Sequence, residues 1–441
     1  MHTQTQADLI IEARWLVPVE PDNTVLEHHC VVISQGVIQQ VLPTQHARDL
    51  GLSAKETLTL DEHILFPGFV NTHTHAAMSL MRGLADDLPL MRWLQEAIWP
   101  TEGKHVSPNF VRDGTLLAAA EMLLGGITCV NDMYFFPHSS AQAFAEAGIR
   151  ATVGMIMIEF PSAFATDAED YLRKGLRVRD EWKGDPLIQF ALAPHAPYTV
   201  SDSSFEQIAT LAVELDCPVH IHLHETQTEI EDSLKRFGVR PLARLEKLGL
   251  LGPNLCIAHG VHFTEHELDT LAHYGAHVIH NPTSNMKLAS GAAPITGMLK
   301  RGVNVGLGTD GAASNNRLDI FQEMRHAALL AKLRESDASA LSAHEALHMA
   351  TLGGARALGL EQKIGSITPG KAADLCAASL ADPIVGPCYD PVSHLVYVLG
   401  RNAVSHVWVG GEKKVHEGRL LHMHNKELQR ISRMWQNAVR P

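Results

Sequence analysis

Leu65-Phe66-Pro67-Gly68-Phe69-Val70-Asn71-Thr72-His73-Thr74-His75 carries an apolar run into two histidines one residue apart. Residues 65–71 read as a strand, whose side chains alternate. His73 and His75 then share one side of the chain, about 6–7 Å apart by the strand rise. A loop after the strand would bring both ring nitrogens to one ion at about 2.0–2.1 Å. The plain alternative is a pair of polar residues leaving a strand, and the segments further along decide against it.

Seven more short apolar segments follow, near 127–131, 151–158, 188–193, 218–223, 255–259, 276–280 and 303–308. Amphipathic stretches of helical length separate most of them, such as 110–125, 203–216, 265–274 and 317–334. Eight βα units over residues 65–364 predict an α/β fold, a (β/α)8 TIM-type barrel, with a doubly wound sheet as its competitor. Residues 1–64 and 365–441 read differently. Leu9-Ile10-Ile11, Val31-Val32-Ile33 and Val404-Ser405-His406-Val407-Trp408-Val409 are β-formers between Pro, Gly and Asn turns. Both ends therefore read as β-rich material flanking the barrel.

In such a barrel the active site forms at the C-terminal ends of the strands. His73 and His75 follow the first candidate strand and His195 the fourth, in Pro194-His195-Ala196. His222 and Glu225 end the fifth, in His220-Ile221-His222-Leu223-His224-Glu225. His259 ends the sixth, and Asp310 the eighth, in Gly308-Thr309-Asp310-Gly311. Chance would scatter these residues over both strand ends and the helices. Singly each has a plain reading: His259 as a structural histidine, Asp310 as a turn residue. His220, His222 and His224 share a face, so alternation does not choose among them. Three His and one Asp make a ligand set for a divalent metal that keeps a position open for water. Such a metal lowers the pKa of water toward about 7. Glu225 could leave the strand to face the substrate as a proton donor.

Composition sets the bounds. With 36 Lys+Arg against 49 Asp+Glu, the net charge of −13 speaks against nucleic acid or an anionic membrane as partner. The six cysteines, at 30, 129, 217, 256, 376 and 388, form no CxxC pair and fit the reduced thiols of a cytoplasmic protein. Residues Met1 to Asp8 carry no basic region ahead of an apolar one, so no signal peptide is expected. The longest apolar candidate, near 114–130, holds Glu121 and reads as a buried helix, not a membrane span.

In this order the motifs resemble the amidohydrolase superfamily, over nearly the whole chain. The resemblance includes the entry from Pro67 to His75, the exit Thr309-Asp310-Gly311, and Gly365 to Asp374, which looks like the return into the small β-sandwich that flanks the barrel in this superfamily; it implies one discontinuous β-sandwich domain from residues 1–64 and 365–441. Within the superfamily the chain looks most like the 5-methylthioadenosine/S-adenosylhomocysteine deaminases. The stretches that carry this are Trp99-Pro100-Thr101-Glu102, His280-Asn281-Pro282-Thr283-Ser284-Asn285-Met286-Lys287-Leu288 and Gly308 to Asn316. The resemblance implies that His73, His75, His222 and Asp310 bind one divalent metal ion, expected to be zinc. Glu225, His259 and Asp310 would move protons, with Glu225 and Asp310 also facing the substrate. Glu102 would accept hydrogen bonds from ribose hydroxyls, and His195 would touch the nucleoside. For Glu102 the plain alternative is a solvated loop carboxylate. A homo-oligomer, dimer or tetramer, is usual for lookalikes.

Two departures refine the expectation. Binuclear relatives often bridge two metals with a modified lysine on strand four, and residues 187–198 contain no Lys, which favours one metal. Relatives that handle S-adenosylhomocysteine well can carry arginines after strand three, and Met155 to Tyr171 contains no Arg or Lys. An apolar loop there suits a methylthio group better than a zwitterion. The expected activity is hydrolytic deamination of adenine nucleosides, 5-methylthioadenosine foremost. Hydrolysis of guanine, cytosine or a triazine on the same frame is one alternative, and a non-catalytic scaffold another.

Overall fold

In the computed structural model, which describes residues 6–440, the stretch from Leu65 to His75 belongs to two sheets. Strand Ala54–Pro67 lies in a sheet built from the chain ends, and strand Phe69–Thr74 opens the barrel. Gly68 is the joint. A Cβ there would meet the Thr128 side chain at 2.2 Å, so only glycine lets the chain pass this close to the second barrel strand. The expected strand over 65–71 is therefore corrected: it breaks at Gly68 and resumes as far as Thr74. His73 stands inside the barrel strand and His75 one residue past it.

The other seven barrel strands are Ile127–Tyr134, Arg150–Met157, Ile188–Pro194, Val219–Leu223, Leu255–His259, His277–His280 and Val305–Leu307. They pair in parallel and in chain order. The ring closes where the backbone N–H groups of Thr309 and Asp310 donate to His73 O at 3.1 and 2.9 Å, and the Thr72 hydroxyl donates to Leu307 O at 2.7 Å. Every residue of the second and third strands is buried, as helix-covered parallel strands require. The intervening helices are capped by their own sequence. Ser107, Asp167, Ser201, Thr226, Thr264 and Asp319 each accept a backbone N–H at a helix start.

The second sheet runs in the order Arg419–Leu420, Glu412–His416, Val404–Val409, Leu375–Ser379, Ala54–Pro67, Ala7–Leu16, Leu26–Ser34, Val37–Pro43, so both chain ends build it. Phe66 of this sheet packs on Phe69 and Phe321 of the barrel, with ring centroids 5.1 and 6.3 Å away. A buried Arg150–Asp374 pair at 3.0 Å crosses the same boundary. Asp374 also accepts Gly410 N at 2.7 Å, so the buried carboxylate is well partnered. Helix Asn425–Val439 folds back onto barrel helix Pro108–Leu124, where Trp435 Nε1 donates to Asp113 at 2.8 Å. Among the described residues no helix is long and apolar enough to cross a membrane.

Candidate metal centre and active site

The strand ends deliver the expected residues to one place. His73 Nε2 lies 3.5 Å from Asp310 Oδ1, and His75 Nε2 lies 3.3 Å from the same oxygen. His222 Nε2 lies 3.2 Å from His75 Nε2. Ligands of a tetrahedral ion with bonds of about 2.1 Å stand about 3.4 Å apart, so these separations fit one metal. The ring contacts set the tautomers. His75 Nδ1 donates to Met133 O at 2.6 Å and His222 Nδ1 to His195 O at 2.7 Å, because a carbonyl only accepts. Both Nε2 lone pairs then face each other and require a cation between them. His73 Nε2 is buried and has no hydrogen-bond partner, which points the same way. Burial drives His73 down to about 4, keeping its ring neutral at pH 7 as ligation requires. Burial also opposes a proton on His75, but Asp310 outweighs it and lifts the ring to about 9. A metal ion would take that proton's place.

The three histidines of the fifth strand, which alternation leaves equivalent, part company here. His222 joins the cluster. His220 stands behind it, with Nε2 2.9 Å from His73 Nδ1. His224 turns away, stacks on Phe263 and accepts Leu242 N at 3.1 Å.

Asp310 is held in place by hydroxyls. Ser284 and Ser314 donate to Oδ2 at 2.6 and 2.9 Å, and Gly311 N donates to Oδ1 at 2.7 Å. Burial works against its ionisation, and the His73 and His75 imidazoles overcome it, holding the carboxyl well below the usual range. His259 Nδ1 donates to Asn285 Oδ1 at 2.8 Å, which leaves Nε2 facing Glu225 Oε2 at 3.8 Å. Burial raises Glu225 above the usual carboxylate range, as suits a group that must hold a proton to give one. His224, His259 and Asp310 all have left-handed backbones, with φ of 56°, 74° and 59°. Such conformations are strained for these residue types and gather at functional sites.

His75, His222 and Asp310 of the cluster, with Glu225 and His259, line a cavity of about 310 Å³, and His73 lies buried behind them. Helical turns from Leu90 to His105 supply much of its wall, through Trp93, Ile98 and Trp99, and Phe160 and Pro161 supply the side after strand three. His195 and Glu102 both line it. The His195 and His222 rings are 4.9 Å apart. Glu102 sits on helix Trp99–His105, not on an exposed loop, and its Oε1 accepts the Tyr134 hydroxyl at 2.7 Å. Burial pushes Glu102 up to about 7 against the pull of that bond.

Tyr134, Asn285 and Glu229 hold the functional side chains in place, and residue types alone did not point to them. Tyr134 ends the second strand, so the strand-end rule that found the histidines could have found it. Thr226-Gln227-Thr228-Glu229 has the spacing of a helix capping box. Here Glu229 reaches past the cap to the N–H groups of His224 and Glu225, both at 2.9 Å.

The chain is similar to known proteins over its whole described length. The amidohydrolase family profile matches residues 64–414. A 5-methylthioadenosine/S-adenosylhomocysteine deaminase from Teredinibacter turnerae is 47% identical, over 100% of this chain and 99% of that one. A protein of the same name from Saccharophagus degradans is 46% identical, over 100% and 98%. The crystal structure of an adenosine deaminase from Xanthomonas campestris with bound zinc superposes with a TM-score of 0.97, at 48% identity and 99% coverage of both chains. The chain therefore belongs to the amidohydrolase family.

Proposed function

We propose that the protein is a metal-dependent hydrolytic deaminase of adenine nucleosides, with one zinc ion per chain and 5-methylthioadenosine as its preferred substrate. One juxtaposition carries this. A His/His/His/Asp cradle flanked by Glu225 and His259 lies at the floor of a largely apolar cavity, and a buried carboxylate, Glu102, stands on the wall. The full-length likeness to adenine nucleoside deaminases supports it.

When bound by His73, His75, His222 and Asp310, a divalent ion supplies Lewis acidity and brings the pKa of water toward about 7. Asp310 takes the proton of the attacking water and passes it to the departing amine. Glu225 donates its proton to the ring nitrogen beside C6, so the charge that develops on addition has a place to go. His259, its tautomer set by Asn285, directs Nε2 at the attacking oxygen. The C6–NH2 bond breaks as Asp310 returns its proton to the nitrogen, the C6 hydroxyl becomes a carbonyl as its proton passes to Glu225 and restores it, and water and the aminopurine become the inosine-type nucleoside and ammonia. On the wall, Glu102 accepts the ribose hydroxyls and His195 faces the nucleoside.

The preference for a small apolar 5′ group rests on the lining. No Lys or Arg lines the cavity among the described residues, and Phe160, Pro161 and Ala163 stand where the loop after strand three meets it. A carboxylate left unpaired there costs several kcal/mol, roughly, before relaxation. Ammonia release from adenosine, 5-methylthioadenosine, S-adenosylhomocysteine, guanine and cytosine tests the proposal. The highest kcat/KM is expected for 5-methylthioadenosine, with adenosine next. An equal or higher value for S-adenosylhomocysteine overturns the 5′ preference. Activity confined to guanine or cytosine overturns the nucleoside assignment.

A further inference from the structure

Glu229 is a buried carboxylate, 7% exposed, and no Lys, Arg or His pairs with it among the described residues. Taking a charge out of water without a counter-ion is expensive, so its two oxygens must earn their place through hydrogen bonds. Both do so on one short piece of backbone: Oε1 accepts His224 N and Oε2 accepts Glu225 N, each at 2.9 Å.

That piece of backbone is where the fifth strand leaves the barrel. His224 is left-handed there, a conformation L side chains avoid, with φ of 56°. Its carbonyl is pinned from the other side by Val261 N and His262 N at 2.9 and 3.0 Å. The turn between His222 and Glu225 is thus gripped by Glu229 through its N–H groups and by the chain after His259 through its carbonyl. Glu229 is itself fixed, as the third residue of the helical segment after Thr226, whose hydroxyl accepts Glu229 N at 3.2 Å.

We infer that Glu229 is a positioning residue for the reaction: it locks the strained His224 turn so that Glu225 points into the cavity. It touches neither substrate nor metal ligand. Its loss would leave two buried N–H groups unpaired and let the turn relax toward an ordinary backbone. A displacement of about 1 Å at a reacting group can lower the rate about 10²-fold. Because the substrate-binding wall is built elsewhere, by Glu102, Trp93 and Trp99, the loss belongs in kcat and not in KM.

The inference rests on the proposed deamination, and the test keeps the two apart. Glu229→Gln and Glu229→Ala are compared with the parent holoenzyme for kcat and KM on 5-methylthioadenosine, metal per folded chain, and hydrogen exchange of the 223–226 amides. Gln is nearly isosteric and keeps one acceptor, so it folds as the parent and gives the smaller loss. The expected result is a fall in kcat of at least about tenfold, with KM and metal content near the parent values and faster exchange confined to 223–226. A kcat within about twofold of the parent, or a loss that merely follows the folded or metal-loaded fraction, overturns it. Unchanged exchange in 223–226 also overturns it, even if the parent releases no ammonia from any adenine nucleoside.

Discussion

Removing the Tyr134 hydroxyl tests whether Glu102 is the ribose clamp. In Tyr134→Phe the ring stays on the cavity wall and only the 2.7 Å hydrogen bond to Glu102 Oε1 is lost. That bond aims Glu102 at the ribose; without it the charge-assisted ribose contact, which contributes about 1.5–3 kcal/mol, is misaligned. At about 1.4 kcal/mol per decade, that is about 10- to 100-fold in affinity for the nucleoside. The bond acts on ground state and transition state alike, so KM rises and kcat stays near the parent value. The loss also depends on pH. Burial already pushes Glu102 up to about 7, and the Tyr134 bond is what opposes it. Without the hydroxyl the carboxyl stays protonated to higher pH and accepts from ribose more weakly, without the charge that strengthens the bond. The penalty in KM is therefore larger at pH 6.5 than at pH 9, where both enzymes carry the ionised form. Initial rates from the loss of adenine absorbance, over a range of 5-methylthioadenosine concentrations at both pH values, give the numbers. An unchanged KM at neutral pH, or a loss that falls wholly on kcat, refutes the clamp.

Three further outcomes follow from the same geometry. Glu225→Gln keeps size and polarity but cannot give a proton in the same way; the metal should stay and kcat fall by at least about 10²–10⁴-fold, and near-normal turnover would remove Glu225 from the chemistry. His222→Ala should lose metal and activity together, whereas His224→Ala, which alters a ring packed on Phe263, should retain metal; metal analysis of both variants checks this. Glu323 is buried, accepts Thr283 N and Asn315 Nδ2 at 3.1 and 2.8 Å, and is pushed by burial up to about 8. Its folded pKa lies above the unfolded one, so the stability it contributes is full at acid pH and is lost as pH rises toward and past 8. Glu323→Gln should flatten the fall in Tm between pH 6 and pH 9, and an unchanged slope would contradict the assignment.

What the sequence made legible follows from what each residue can do alone. The eight strands could be read because buried parallel strands are continuous apolar runs, and the site because it gathers at their ends. The first strand was misplaced because Leu65 to Val70 is one apolar run, and only the packing of Gly68 against Thr128 divides it between two sheets. His222 could not be told from His220 and His224, since a period of two puts all three on one face. What separates them is tertiary: the carbonyl of His195, the ring of His73, the ring of Phe263. Tyr134, Asn285 and Glu229 escaped because their work is to hold another side chain or a turn. Tyr134 and Glu102 are 32 residues apart, and Asn285 and His259 are 26 apart.

The most direct test is ammonia release from 5-methylthioadenosine by the protein as purified, after metal removal with a chelator, and after zinc is added back in counted equivalents. Activity should vanish with the metal and return in full at about one zinc per chain. A chelated protein that keeps its full rate, or one that recovers only at two ions per chain, would contradict a single-metal deaminase built on His73, His75, His222 and Asp310.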